Sequence, residues 1–166
     1  MDDGWDRPGD LRDLERAEHM LVWAARAIAA GQASSPAVQQ VFNGACGPHG
    51  AHVLNAYFAL VKLVGISRGE PLRLHAPGCL GVSDDERELV AAVAAAQFDL
   101  RRGPKSQRLE MVLERLIDGS PRAGVLSAAR AVAHGLVIYG HLLPTREAPP
   151  PADLSLAKEM LDRVLH

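Results

Sequence analysis

The stretch that most restricts the fold of this chain runs from Pro48 to Val64. Within it Val53, Leu54, Tyr57, Phe58, Leu60, Val61, Leu63 and Val64 leave only His52, Asn55 and Lys62 as a narrow polar stripe. A helix that is apolar around most of its circumference needs neighbours on several sides, which places it in the middle of a bundle. The remaining sequence supplies those neighbours. Asp10 is positioned to cap a helix that carries Leu11, Leu14, Leu21, Ala25 and Ile28 at helical spacing up to Gly31. Ser35-Pro36 opens a short helix that Asn43-Gly44 is placed to end, and Pro48 starts the apolar one. Ser83-Asp84-Asp85-Glu86 is a capping box opening an alanine-rich helix to about Leu100. Its carboxylates read as a solvated first turn. Leu109, Val112, Leu113, Leu116 and Ile117 line one face of the next helix. Ser120-Pro121 opens another, to about Leu143, whose Gly124, Ala128, Ala131 and Gly135 form a stripe suited to close helix approach.

The expected architecture is therefore all-α: a single-domain irregular bundle of about seven helices with one long irregular loop at residues 67–83. Residues 1–9 read as a disordered start, 10–143 as the bundle and 144–151 as a Pro-rich linker. Residues 152–166, with Leu154, Ala157, Leu161 and Val164 at helical spacing, read as a C-terminal amphipathic helix packing on the bundle. With 166 residues, 48% of them apolar, the chain can bury a core without covalent staples. A net charge of -2 and an aromatic set of two Trp, two Tyr and three Phe lack the basic field and stacking platforms of a nucleic-acid binder. The acidic start MDDGWDRPGD does not resemble a secretory signal. No run reads as the roughly 18 to 20 apolar residues of a membrane span, because Arg26, Lys62, Arg130 and His134 interrupt the most apolar segments. The expectation is a cytoplasmic protein with no membrane partner. Its two cysteines then read as thiols or ligands, with a Cys46 to Cys79 disulfide as the alternative.

Chemistry-bearing residues gather in two places. Cys46, His49 and His52, followed by His75 and Cys79, spell C-x2-H-x2-H and then H-x3-C. Zinc takes four nitrogen or sulfur ligands, often as short-spaced pairs from separate segments. A positive helix start favours the ionised thiol and neutral imidazole that bind metal. These five residues are a candidate zinc-type site, structural or regulatory, although their order differs from the named zinc families. The competing reading has two small buried thiols and histidines bonded to backbone or water. Cys79 with His75 also suggests a thiol nucleophile and its base. No third partner, phosphate loop, dinucleotide fingerprint, H-E-x-x-H or nucleophile elbow accompanies them, so no catalytic or cofactor-binding residue is assigned. His134 and His141, seven apart on the long helix, read as ordinary polar residues, and His19 as a surface partner of Glu15. The second gathering is Arg101, Arg102, Lys105 and Arg108. The first two complement a helix C-terminus, while the others open a helix whose dipole opposes them, which makes the set a candidate contact for an anion or an acidic partner. A non-catalytic domain acting through protein contacts or self-association is favoured over an enzyme, with the loop and the last helix as its surfaces.

The segment from Val61 to Glu86 resembles a family of small uncharacterised bacterial helical proteins of unknown function. An apolar helix leads into S-R-x-x-P-L-R-L-x-x-P-x-C and then a capped acidic helix, here Ser67, Arg68, Pro71, Leu72, Arg73, Leu74, Pro77, Cys79, Ser83, Asp85 and Glu86. The resemblance implies that the loop belongs to a recurring helical fold, and it carries no activity. Family members often hold further cysteines beside the one matching Cys79, where this chain has Gly78 and Leu80.

Overall fold

The computed structural model describes residues 9–145, folded as α1 (Arg16–Ala29), α2 (Pro36–Cys46), α3 (Gly50–Arg68), α4 (Asp84–Arg102), α5 (Arg108–Ile117) and α6 (Ala123–Ile138). A 3-10 turn, Gly47–His49, links α2 to α3, so residues 36–68 form one continuous helical run and the described chain holds five such runs. No strand occurs among the described residues, and the class is all-α. The expected count of about seven helices is not reached there. The last of them, at residues 152–166, lies outside the described residues together with most of the linker.

Several boundaries differ from the sequence reading for local reasons. Asp10 does cap, but what it caps is a 3-10 turn, Leu11–Asp13, where its carboxylate accepts from the Arg12 amide at 2.8 Å. Leu14 is extended, so α1 starts only at Arg16, with the Glu18 carboxylate accepting from the Glu15 amide at 2.8 Å. Asn43-Gly44 does not stop α2. The break comes at Gly47, whose φ of 52° is one that residues with a Cβ seldom adopt. Ser120-Pro121 precedes α6 without capping it, and Arg122 occupies the N-cap position.

Helix α3 packs against α1, α2, α5 and α6, but Phe58, read among its enclosed apolar positions, is 39% exposed on its outer side. Val53, Leu54, Tyr57, Leu60, Val61 and Val64 are buried along it, and the Tyr57 hydroxyl donates to the Leu21 carbonyl of α1 at 2.8 Å. Two glycines set how closely other helices approach it. A Cβ at Gly135 would fall on Val53 Cγ2, whereas one at Gly124 would rest 3.6 Å from Leu63 Cδ1, so α6 lies antiparallel against α3. At the tight turn from α2, a Cβ on Gly50 would come within 2.6 Å of backbone atoms of Phe42 and Asn43. By length and composition the run 36–68 is apolar enough to cross a membrane, which corrects the expectation that no such run exists. It is bent at Gly47, however, with α2 packed against α3 and one face of each buried in the core.

Candidate functional site

The chemistry of the molecule converges on the connection between α3 and α4. Arg26 lies on the buried side of α1, and Glu86 is the third helical residue of α4; their exposures are 2% and 0%. They form a two-pronged ion pair, Nε to Oε1 at 2.7 Å and Nη2 to Oε2 at 2.9 Å. A buried pair of this kind stabilises only if its remaining donors and acceptors are also met. Here they are. Arg26 Nη1 donates to the Cys79 carbonyl and Nη2 to the Gly81 carbonyl, each at 2.5 Å. Glu86 accepts in addition from the amides of His75 and Ser83, both at 2.9 Å. Burial alone would push the Glu86 carboxyl up, but the guanidinium and these two amides outweigh it and hold it below its ordinary value.

A second set of bonds ties the outer side of the loop. The Ser83 hydroxyl caps the Glu86 amide at 3.1 Å and donates to the Arg73 carbonyl at 2.6 Å. The Arg73 amide donates to Asp85 at 2.7 Å, and Arg68 Nη1 meets the same carboxylate at 2.9 Å. Gly9 and Leu11 pair their backbones with Val82 and Leu80, so Gly9, expected in a disordered start, belongs to the folded domain. The first turn of α4 is thus an anchor for the loop, and only Asp84 of its acids matches the expected solvated turn. The fixed loop forms one wall of an open groove of about 520 Å³, whose other wall is the C-terminal half of α3. Ala29, Val61, Gly65, Ile66, Pro71, Leu72 and Leu74 line it, and Lys62 and Glu70 place one charge of each sign beside them. Ile66 is 72% exposed.

The five residues read as a zinc-type site are not brought together. Cys46 points into the core at 0% exposure, and burial pushes its thiol up, opposite to the ionised form expected at a helix start. His49 turns to Tyr139 at the end of α6, with Nδ1 against the phenol oxygen and ring centroids 5.7 Å apart. His52 is exposed, on the outer stripe of α3 with Asn55 and Lys62. His75 and Cys79 both border Gly81: His75 Nε2 and Cys79 Sγ stand 3.5 and 3.8 Å from where a Cβ on Gly81 would be. Among the described residues no group of three or more His, Cys, Asp or Glu is arranged to hold a metal ion. Both cysteines are free thiols, so the disulfide alternative is not realised. His134 is exposed, while His141 lies beyond α6 and bonds the Ala45 carbonyl through Nε2 at 2.7 Å.

Two of the four residues of the basic cluster have a partner on α4. Arg102 and Arg108 lie over the Phe98 ring, their guanidinium carbons 5.3 and 4.4 Å from its centroid, while Arg101 and Lys105 are exposed. The start of α5 is capped instead by Asp99 of α4, through backbone amides rather than the basic side chains. Its carboxylate accepts from the Ser106 hydroxyl and from the amides of Arg108 at 3.3 Å and Leu109 at 3.0 Å. Neither the clamp nor this cap was assigned from sequence. The available signals were one arginine on an apolar helix face and an aspartate ahead of a helix that lacks a side-chain N-cap. No known protein family, curated protein or solved structure matches the chain.

Proposed function

We propose that this chain is a non-catalytic cytoplasmic domain that acts through protein contacts, and that its contact surface is the groove between α3 and the clamped loop. The partner it fits is an amphipathic helix laying apolar side chains over Ile66, Leu72 and Leu74. The observation that carries this reading is the placement of a buried, fully bonded ion pair behind a loop whose front leaves Ile66 exposed beside an open groove. A pre-shaped wall reduces the ordering cost of binding. The test is photo-crosslinking in the native cell, with a photoreactive residue replacing Ile66 in the full chain and, separately, Met111 of α5, which is 58% exposed. The expected result is an adduct at position 66 alone, mapped to an apolar helical segment and abolished by Leu72→Asp. No adduct, or the same adducts at both positions, would overturn the reading.

The placement of His75 Nε2 and Cys79 Sγ on either hand of Gly81 favours one second reading, a thiol with an imidazole neighbour as the reactive pair of a small enzyme. Alkylation of Cys79 at neutral pH, compared in the parent and His75→Ala, separates the two. A rate equal to that of a free thiol in both chains removes the enzyme reading.

A further inference from the structure

We infer that the partner helix is α3 of a second copy of this chain, packed antiparallel to the first about a two-fold axis at Ile66. This rests on the groove being the contact surface proposed above, and it names what that surface binds. The argument starts from the outer side of α3. Phe58, Lys62 and Ile66 follow one another there at helical intervals of four, and the two apolar ones are 39% and 72% exposed. Two large apolar side chains on one line of a helix, beside an apolar groove, form a continuous stripe rather than scattered exposed residues. The Lys62 ammonium lies over the Phe58 ring, 5.7 Å from its centroid, so its charge sits within the stripe.

The charges decide which helix fits. Lys62 stands one turn before Ile66, Glu70 follows Gly69, the residue that ends α3, and all of them line the groove. A helix laid there must bring an anion to Lys62 and a cation to Glu70. The surface of α3 carries those same two signs on either side of Ile66, in an order that becomes complementary when a second copy is turned end for end. Lys62 of each copy then meets Glu70 of the other, and Ile66 meets Ile66. Each Phe58, two turns before Ile66, extends past Glu70 of the other copy onto its loop. Such a self-complementary contact closes with two subunits. A parallel pairing sets Lys62 against Lys62 and is opposed by repulsion. Glu70 already meets Arg68 Nη2 at 3.2 Å, but its side chain is 60% exposed and a surface pair of this kind holds it weakly. Arg68 is secured separately, by Asp85 at 2.9 Å.

The deciding experiment is analytical ultracentrifugation of the full chain over a concentration series reaching about 1 mM. It compares the parent with Lys62→Glu, Glu70→Lys, an equimolar mixture of those two, and Met111→Lys as a surface control on α5. Both reversed side chains are exposed, so the far-ultraviolet circular dichroism of each variant should match the parent. The expected result is a parent dimer whose dissociation constant rises about tenfold or more in either reversal, since each sets like charges together at both ends of the contact. Mixing the two variants should restore the parent affinity, because opposite signs then face one another between unlike chains. Met111→Lys should leave the dimer unchanged. A parent that stays monomeric across the series, a dimer indifferent to the reversals, or two weakened variants that do not pair on mixing would each overturn the inference. Failure of this inference alone is recognisable, because the adduct from position 66 would still form, with a different protein.

Discussion

At the scale of the residue, the most informative side chains are those whose partners lie far away in sequence. Glu86 was legible as the third residue of a capping box, because that motif is local; its pairing with Arg26, 60 positions earlier, was not. Nothing in a helical period says which of two distant faces an arginine will meet. Asp99 is a similar case, since a cap supplied by a neighbouring helix leaves no short motif behind. Cys46 and His49 illustrate the opposite failure: their spacing looked like chemistry, yet one faces the core and the other a tyrosine. The clamp has a direct test in Glu86→Gln, which keeps a residue able to close the capping box but leaves Arg26 charged and unpaired. Breaking a buried pair this way costs about 3 to 5 kcal/mol, against roughly 1 kcal/mol for a lost cap. Urea unfolding should show the larger value at pH 7. Because the folded-state carboxyl lies below its ordinary 4.5, its contribution is fully present above that value and is lost as pH falls from there through the lowered folded-state value. The gap between parent and variant should therefore be flat from pH 6 to 8 and shrink below about pH 4.5. A pH-independent difference near 1 kcal/mol would reduce Glu86 to a capping residue.

At the scale of the element, the helices were legible because periodicity, caps and glycine punctuation act within a few residues. The central position of α3 followed from its composition, and the Ser83 capping box opens α4 where the motif stands. What failed were signals with two local outcomes. Ser120-Pro121 has the sequence of a helix start but lies in the irregular connection before α6, and Gly44, which can end a helix, sits inside one. The small-residue stripe on α6 announced a close approach without naming the partner helix or the glycine that needs it. The structure separates the two glycines by sign. Gly135→Ala places a methyl on Val53 and should cost about 1 to 3 kcal/mol through overpacking. Gly124→Ala meets Leu63 only at ordinary contact distance and should be neutral or stabilising by up to about 1 kcal/mol, from helix propensity. Denaturation midpoints of the two variants, with Val53→Ala as a partial rescue of Gly135→Ala, check the assignment. Equal effects at both positions would mean that α6 does not seat on α3 through Gly135.

At the scale of the whole molecule, one ion pair joins the start of the chain to its middle and gives the loop its shape. Arg26 reaches Glu86 and the carbonyls of Cys79 and Gly81 at once, which a planar guanidinium with several fixed donors can do. A lysine ammonium keeps the charge but is a single point on a flexible stem. Arg26→Lys should therefore leave the pair partly intact while releasing the carbonyls that hold the loop. The domain would stay folded with its groove wall loosened. In hydrogen exchange, the amides of Arg73, His75 and Ser83, which donate to Asp85 and Glu86, should exchange about tenfold faster, with those of α5 and α6 unchanged. The photo-adduct at position 66 should weaken in parallel, because a partner would then have to order the loop as it binds. A uniform acceleration across all helices would make Arg26 one more contributor to global stability. Unchanged loop amides would mean that the outer bonds of Ser83, Asp85 and Arg68 hold the loop without the guanidinium. Only the local release ties the buried pair to the groove, and so gives a reason for these two charges to be buried in the bundle.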